Sequence, residues 1–180
     1  KYILINFKSN IMAVHLRMTG KLFVTNEINY KHTHLILKLN TDEYLVYEDV
    51  RKFGRISILN TTKDIKQKLG IEPLSKQFTL QWITKKLSNR NRQIKALLLD
   101  QSVIAGLGNI YIDEVLWISK IHPQQKASSI SSVKIKSLHK AIVEVLNESI
   151  KFHGTTIRDF VFEGFKIGDY STKLKVFNKT

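Results

Sequence analysis

Gly106-Leu107-Gly108-Asn109 is the tightest chemical signal in this 180-residue sequence. It lies between a helical run ending near Asp100 and another starting near Ile110. Two glycines permit positive φ and a close approach of backbone to a ligand. The helix that follows would aim its free N–H groups outward, an arrangement that holds a phosphate, and Asn109 could add a donor. The same four residues also read as a tight helix–helix turn with Asn109 as a plain N-cap. Just upstream, Lys85, Lys86, Arg90, Arg92 and Lys95 follow one another with no acid between them and Trp82 at the edge. That stretch reads as a solvated helix face or, beside the glycine turn, as a phosphate-binding flank.

Two further blocks combine cations with apolar tips. Asp49-Val50-Arg51-Lys52-Phe53-Gly54 sets two cations and an aromatic against a glycine. A Phe beside Arg or Lys at a loop tip suits insertion into a base stack; a strand end with Phe53 in the core is the alternative. His15-Leu16-Arg17-Met18-Thr19-Gly20 has the same character, with Met18 on a turn as a wedge or in the core. His32 and His34 alternate as if sharing a strand face, a weak metal pair without a third ligand nearby. No HExxH, P-loop or dinucleotide motif occurs.

The composition points the same way. Lys+Arg is 29 against 15 Asp+Glu, a formal net charge of +14, and the pI is about 9.9. Such a balance is the electrostatic footprint of a nucleic-acid binder, a basic ribosome-like protein or a membrane-surface protein. Hydrophobic residues make up 43% and charged residues 24%, which excludes wholesale disorder. There is no cysteine, so thiolate chemistry, disulfides and cysteine-held zinc are excluded within these residues. No apolar run approaches the about 18 residues of a membrane span.

These groups need elements to position them. Runs at Lys1 to Phe7, Ile11 to Leu16, His34 to Leu39, Glu43 to Tyr47 and Gly54 to Leu59 predict antiparallel strands. Thr62 to Leu69 predicts a short helix stopped by Gly70, and Gly70 to Ser75 a linker. Beyond it, helical spacing is set by Leu80, Ile83 and Leu87, by Ile94, Leu97 and Leu98, and by Ile112, Val115 and Leu116. A long helix is predicted from Ser132 to Phe152, with Ile135, Leu138, Ile142, Val145, Leu146 and Ile150 on one face. Leu174 to Phe177 reads as a strand. The fold class expected is α+β: a partial antiparallel β-sandwich in residues 1–68, a linker over 69–78, and a helical domain over 79–180.

Taken in order, these blocks resemble the formamidopyrimidine-DNA glycosylase family. The resemblance rests on Lys1-Tyr2-Ile3-Leu4, His15 to Gly20, Asp49 to Gly54, Leu69 to Leu74 and Leu99-Asp100-Gln101. Gly106 to Tyr111, Asp113-Glu114, Ile121-His122-Pro123 and Gly154 to Phe160 complete it, so it covers essentially the whole chain. It implies that the helical half is a helix–two-turn–helix (H2TH) domain. It also implies a bifunctional DNA glycosylase and abasic-site lyase that flips and removes oxidised purines such as 8-oxoguanine and formamidopyrimidine. By resemblance Gly108 and Asn109 hold backbone phosphates, and Lys1, His15 and Lys95 are phosphate and site-closing contacts. Met18, Arg51 and Phe53 fill the gap left by the extruded base. Thr155, Thr156, Ile157, Arg158 and Phe160 open the loop over the flipped base. The implied partner is double-stranded DNA with a damaged base or abasic site, bound by a monomer in a bacterial cytoplasm at the nucleoid, with no membrane.

The departures set further expectations. The family's nucleophile, an N-terminal proline amine, and the glutamate after it belong to a segment ahead of Lys1. The family's four-cysteine zinc finger, which carries Zn(2+) and a further arginine, belongs beyond Thr180. The sequence therefore reads as the middle of such an enzyme, with no cofactor in these residues, no Schiff-base chemistry of its own and marginal stability. The α-amine of Lys1, with a reference pKa of about 7.7–8.0, is the one impostor nucleophile. The alternative function is a non-catalytic nucleic-acid-binding module that keeps the H2TH phosphate grip.

Overall fold

The computed structural model describes residues 1–155, 168–177 and 179. The chain divides into two compact units, residues 1–62 with 152–171, and residues 63–151 with 172–180.

The first unit is built on two antiparallel sheets. Strands β1 (Ile3–Asn6), β2 (Ile11–His15) and β6 (Arg55–Leu59) form one, in the order β1-β2-β6. Strands β3 (Gly20–Thr25), β4 (Thr33–Lys38) and β5 (Tyr44–Asp49) form the other, in the order β3-β5-β4. β-Branched and aromatic residues fill the strands, and the clean alternation of β4 turns Leu35 and Leu37 inward. Met12, Val14 and Tyr47 are buried, with Ile5, Leu22, Leu35, Leu45 and Ile56 packed against them. The register sets Ile5 opposite Met12, Val14 opposite Ile56, and Leu22 and Leu35 both opposite Tyr47.

β3 has no counterpart among the predicted strands. Its burial does not alternate, so a run of three apolar residues, Leu22-Phe23-Val24, carries no period-2 signal. His32 also departs from expectation. It sits in a turn at φ +69°, before β4 begins, so it does not share a strand face with His34. His34 Nε2 instead lies 2.9 Å from the carbonyl oxygen of Asp49.

The second unit is helical. After the short α1 (Lys63–Lys66) come α2 (Leu80–Ser88), α3 (Ile94–Leu99), α4 (Asn109–Ile118) and the twenty-residue α5 (Ser132–Lys151). Thr79 caps α2, its hydroxyl accepting from the Trp82 amide at 3.1 Å. α3 has no side-chain cap, and the amides of Ile94 and Lys95 donate instead to the carbonyls of Gln125 and Pro123. Ile83, Leu87, Ile94, Leu98, Ile112, Leu116, Leu138 and Ile142 are buried at its core. Ile150, expected on the buried face of α5, is 63% exposed. Ser149 takes the buried place and its hydroxyl lies 2.6 Å from that of Tyr111.

The segment after Gly70 is bonded into this unit. Gly70 donates to Gln101 O and Ile71 to Val103 O, while Ala105 donates back to Ile71 O. A Cβ at Gly70 would sit 2.1 Å from Val103 O, so the approach admits no side chain. Residues 174–177, expected as a strand, form none. Their chain follows a 3₁₀ turn, Tyr170–Lys173, and the amides of Lys175, Val176 and Phe177 donate to the Glu114 carboxylate at 2.8, 2.8 and 3.2 Å. Among the described residues no helix is long and apolar enough to cross a membrane.

Glu114 is only 2% exposed, and three amides replace the water its charge would otherwise hold. Replacing it by Gln keeps the shape and puts an NH₂ donor where an acceptor is needed. Glu114→Gln should lower stability by about 1–3 kcal/mol and should abolish amide-exchange protection at residues 175–177. Retained protection there, read by hydrogen exchange, rejects the carboxylate as the anchor.

Candidate nucleic-acid interface

One end of the strand unit gathers five of the predicted residues, Lys1, His15, Met18, Arg51 and Phe53. β2 ends at His15 and feeds the loop to β3, which starts at Gly20. β5 ends at Asp49 and feeds the loop to β6, which starts at Arg55. Gly20 pairs with Asp49 and His15 with Arg55, so both loops leave from the same end.

Asp49 ties the two loops together from inside. It is 1% exposed. Its carboxylate accepts from the Thr19 hydroxyl at 2.5 Å, the Gly54 amide at 2.7 Å, the Tyr47 hydroxyl at 3.1 Å and the Arg51 amide at 3.3 Å. Burial pushes its pKa up, but the bonds from Thr19, Gly54, Tyr47 and Arg51 outweigh it and hold the carboxyl below its ordinary 3.8. Burial, reinforced by the Asp49 charge, pushes the Tyr47 phenol up to about 12. There is no room for a side chain at Gly54, where a Cβ would fall 1.7 Å from the Tyr47 hydroxyl.

With their bases fixed, the loops carry their tips outward. Met18 is 68% exposed and Phe53 59%. The Arg51 guanidinium donates to the Met18 sulfur at 3.8 Å, so the tips of the two loops touch. Neither apolar tip is in the core, which was the alternative for both. Arg17 and Lys52 hold positive φ, at +56° and +57°, a conformation that costs a non-glycine residue energy and is seen where a loop is over-determined by its surroundings.

His15 stands beside these tips. Its Nδ1 accepts from the Arg17 amide at 3.1 Å, which leaves Nε2 as the donor of a neutral ring. Burial, reinforced by the positive charge of Arg17, lowers its pKa from 6.5. The Tyr2 ring meets it edge-on at 4.9 Å. The β1–β2 register, Ile3 opposite Val14, puts Lys1 at this same end, and burial lowers its ammonium from the ordinary 10.5.

The helical unit carries the glycine turn. Gly106 adopts φ +84°, a conformation glycine alone takes freely. Gly108 is the N-cap of α4, so Asn109 is the first helical residue and not the cap. The Asn109 side chain is exposed, with no hydrogen-bond partner among the described residues. Gln101 holds the turn in shape: its Oε1 accepts from the Gly106 amide at 2.8 Å, and its Nε2 donates to Leu107 O at 2.8 Å and Leu99 O at 3.1 Å. Sequence reasoning gave Gln101 no role; a glutamine five residues before a glycine turn carries no periodic signal.

The basic stretch splits in two. Lys95 pairs with Asp113 at 2.7 Å and Arg92 with Asp100 at 2.8 Å. Lys85, Lys86 and Arg90 have no acidic partner among the described residues and lie with Trp82 around a shallow pocket on α2. Thr155 pairs with Asp169 in an isolated bridge, and the Tyr170 amide donates to Gly154 O at 3.1 Å. Thr156, Ile157, Arg158 and Phe160 lie outside the described residues. Among those described, no three His, Asp or Glu side chains converge as metal ligands.

A family model of the formamidopyrimidine-DNA glycosylase N-terminal domain matches residues 1–56, and one of the formamidopyrimidine-DNA glycosylase H2TH domain matches residues 69–161. The formamidopyrimidine-DNA glycosylase of Desulforamulus reducens is 42% identical over 187 residues, covering 99% of this chain and 67% of the relative. That of Streptococcus agalactiae is 42% identical over 186 residues, covering 100% and 68%. Among solved structures, Lactococcus lactis Fpg in complex with DNA containing an abasic site superposes with a TM-score of 0.90 at 37% identity, over 100% of this chain and 68% of that one. A MutM complex with DNA containing carbocyclic 8-oxo-G gives 0.89 at 36% identity, with the same coverage.

The Asp49 bonds predict a pH dependence. Its folded pKa is depressed, so its contribution is complete above the ordinary value near 3.8 and is lost as pH falls through the lower folded value. Asp49→Asn should therefore cost about 1–3 kcal/mol at pH 7. The gap between the two proteins should narrow as pH falls below 3.8. Urea unfolding of both across pH reads this directly; a gap independent of pH assigns the loss to packing and not to the charge.

Proposed function

We propose, for a chain that belongs to the formamidopyrimidine-DNA glycosylase family, a function in base-excision repair of DNA carrying oxidised purines, with 8-oxoguanine and formamidopyrimidine as the lesion class. The carrying observation is the exposed tip of Met18, Arg51 and Phe53, drawn together over the buried Asp49. A base inside a duplex is out of reach of any nucleophile, so it must leave the stack and its hole must be filled. Two apolar tips and a guanidinium on one rigid base suit that task.

Phosphate contacts hold the strand while this happens. Asn109 and the backbone at Gly108 present donors at the start of α4, where the helix dipole favours an anion. His15 offers its Nε2–H as a neutral donor, and Lys1 adds a cation at the same end of the strand unit. Lys95 reaches a phosphate by exchanging or sharing its Asp113 partner. Residues 155–160 contribute to the loop over the flipped base.

The chemistry in this reading is attack of an amine on C1′ of the damaged nucleotide. The base leaves, a Schiff base forms, and β- and δ-elimination cut the strand. The nucleophile is an N-terminal proline amine with a glutamate beside it, neither of which lies within residues 1–180. The family's zinc finger has no ligands here either: with no cysteine in the sequence and no convergent metal ligands among the described residues, these residues do not fit that metal. The working form is a cytoplasmic monomer on DNA.

The test is borohydride trapping of residues 1–180 on duplex DNA with one 8-oxoguanine or abasic site, with gel shifts alongside. Binding that prefers the lesion, without a covalent adduct, is the expected result. Equal affinity for intact duplex leaves a plain nucleic-acid-binding module, and an adduct makes an amine within this chain, Lys1 first, the nucleophile. Affinity should fall with log salt at a slope of about −0.9 per neutralised phosphate. Asn109→Ala should weaken binding by about tenfold, the loss of one charge-assisted bond; unchanged affinity rejects its phosphate role. Phe53→Ala should remove lesion preference and spare affinity for intact duplex.

A further inference from the structure

The basic stretch before the glycine turn is only partly used by the reading above. Arg92 and Lys95 are held by acids, at 2.8 and 2.7 Å. Lys85, Lys86 and Arg90 have no acidic partner among the described residues, and they share a pocket with Trp82 and Asn89. The opposite face of α2, Ile83 and Leu87, is buried, so the helix cannot rotate to give these side chains other partners.

The Trp82 ring is braced from below. Phe78 is buried and meets it at 5.8 Å between centroids. Phe78 is itself stacked on His139 at 5.0 Å, and His139 Nε2 lies 2.9 Å from Phe78 O. The Lys86 ammonium lies over the ring, 5.9 Å from its centre, in the place an incoming flat ring would take by displacing it toward the phosphate. Trp82 is half-buried, and the part left open lines the pocket. A fixed indole bordered by three cations has a defined chemistry. The ring offers a π-face to a flat heterocycle, and the cations take the phosphates on either side of it. A peptide carboxylate would satisfy the charges and leave the ring without a partner of matching shape. A duplex would satisfy the charges, but its bases are stacked on each other.

We propose that this pocket on α2 is a second nucleic-acid site, which takes an unpaired base of a single strand on Trp82 and its flanking phosphates on Lys85, Lys86 and Arg90. Asn89, at the C-cap of α2, lines the pocket and supplies a neutral hydrogen-bonding group for a base edge.

The experiment follows Trp82 fluorescence in residues 1–180 carrying Trp117→Phe, which removes the other tryptophan, itself 64% exposed on α4. The probes are a short oligothymidylate, an oligomer of the same length with every site abasic, and an intact duplex. Quenching by oligothymidylate, with affinity about fivefold or more above the abasic oligomer, is expected from one base stacked on an aromatic ring. Trp82→Ala should erase that difference, Trp82→Phe should keep most of it, and replacing Lys85, Lys86 and Arg90 together by Gln should weaken both oligomers. Affinity for duplex with an abasic analogue should stay unchanged in Trp82→Ala. Equal affinity for the two oligomers, or equal quenching by intact duplex, means a phosphate-binding surface only and overturns the proposal. Because the probe comparison is made on a protein that keeps Trp82, it stands even where Trp82→Ala fails to fold.

Discussion

A carboxylate that gives up water must find donors, and the donors it finds decide where the chain can go. Asp49 is the clearest case. It ends a central strand, so it cannot move outward to solvent without breaking the pairing of Gly20 with Asp49. The donors within reach belong to both loops at that end: a hydroxyl from one, two amides from the other, and the Tyr47 phenol beneath them. Satisfying one buried charge therefore fixes two loops at once. Leaving it unsatisfied would cost more than the strain at Arg17 and Lys52, so the strained conformations persist.

The helical unit follows the same rule with different donors. Glu114 is satisfied by three consecutive amides, and Asp100 by Ser102 and Arg92. The Ser102 hydroxyl, then Arg92, hold the Asp100 carboxyl below its ordinary value. Asp113 holds Lys95. Asp49 and Glu114, 1% and 2% exposed and with no cationic partner among the described residues, are withdrawn from the surface, which is therefore more positive than the net charge of +14 alone conveys. For a polyanionic partner that distribution matters more than the total, because internal acids repel it less than exposed ones.

The sequence made some of this legible and hid the rest for physical reasons. The helices were visible because Ile83, Leu87, Ile94, Leu98, Ile112 and Leu116 recur at helical spacing and are buried at that spacing. β1, β2, β4, β5 and β6 were visible as short apolar runs between polar breaks. β3 was not, because its inner face is set by pairing with β5 and not by its own alternation. Residues 174–177 look like a strand on propensity, but a carboxylate sixty residues earlier in the chain claims their amides. The candidate site residues were picked out through block order, Asp49 to Gly54 and Gly106 to Asn109. The residues that hold them in place, Thr19, Tyr47 and Gln101, were not, because hydrogen bonds between distant side chains leave no local pattern.

That division between presented and supporting residues explains why the tips can stay exposed. Met18 and Phe53 would lower their free energy by turning into the sandwich, since burying such side chains is worth about 1.5–3 kcal/mol each. They cannot turn, because the Asp49 bonds set the direction of both loops, and the core beneath is already filled by Met12, Val14 and Tyr47. The exposure is therefore a stored cost, released when the tips enter an apolar space such as the gap in a base stack. A floppy loop could make the same contacts, but it would lose conformational entropy on doing so, which a loop fixed in advance avoids. Rigidity below and apolar exposure above are two consequences of one buried charge, and removing that charge should loosen the first before it hides the second.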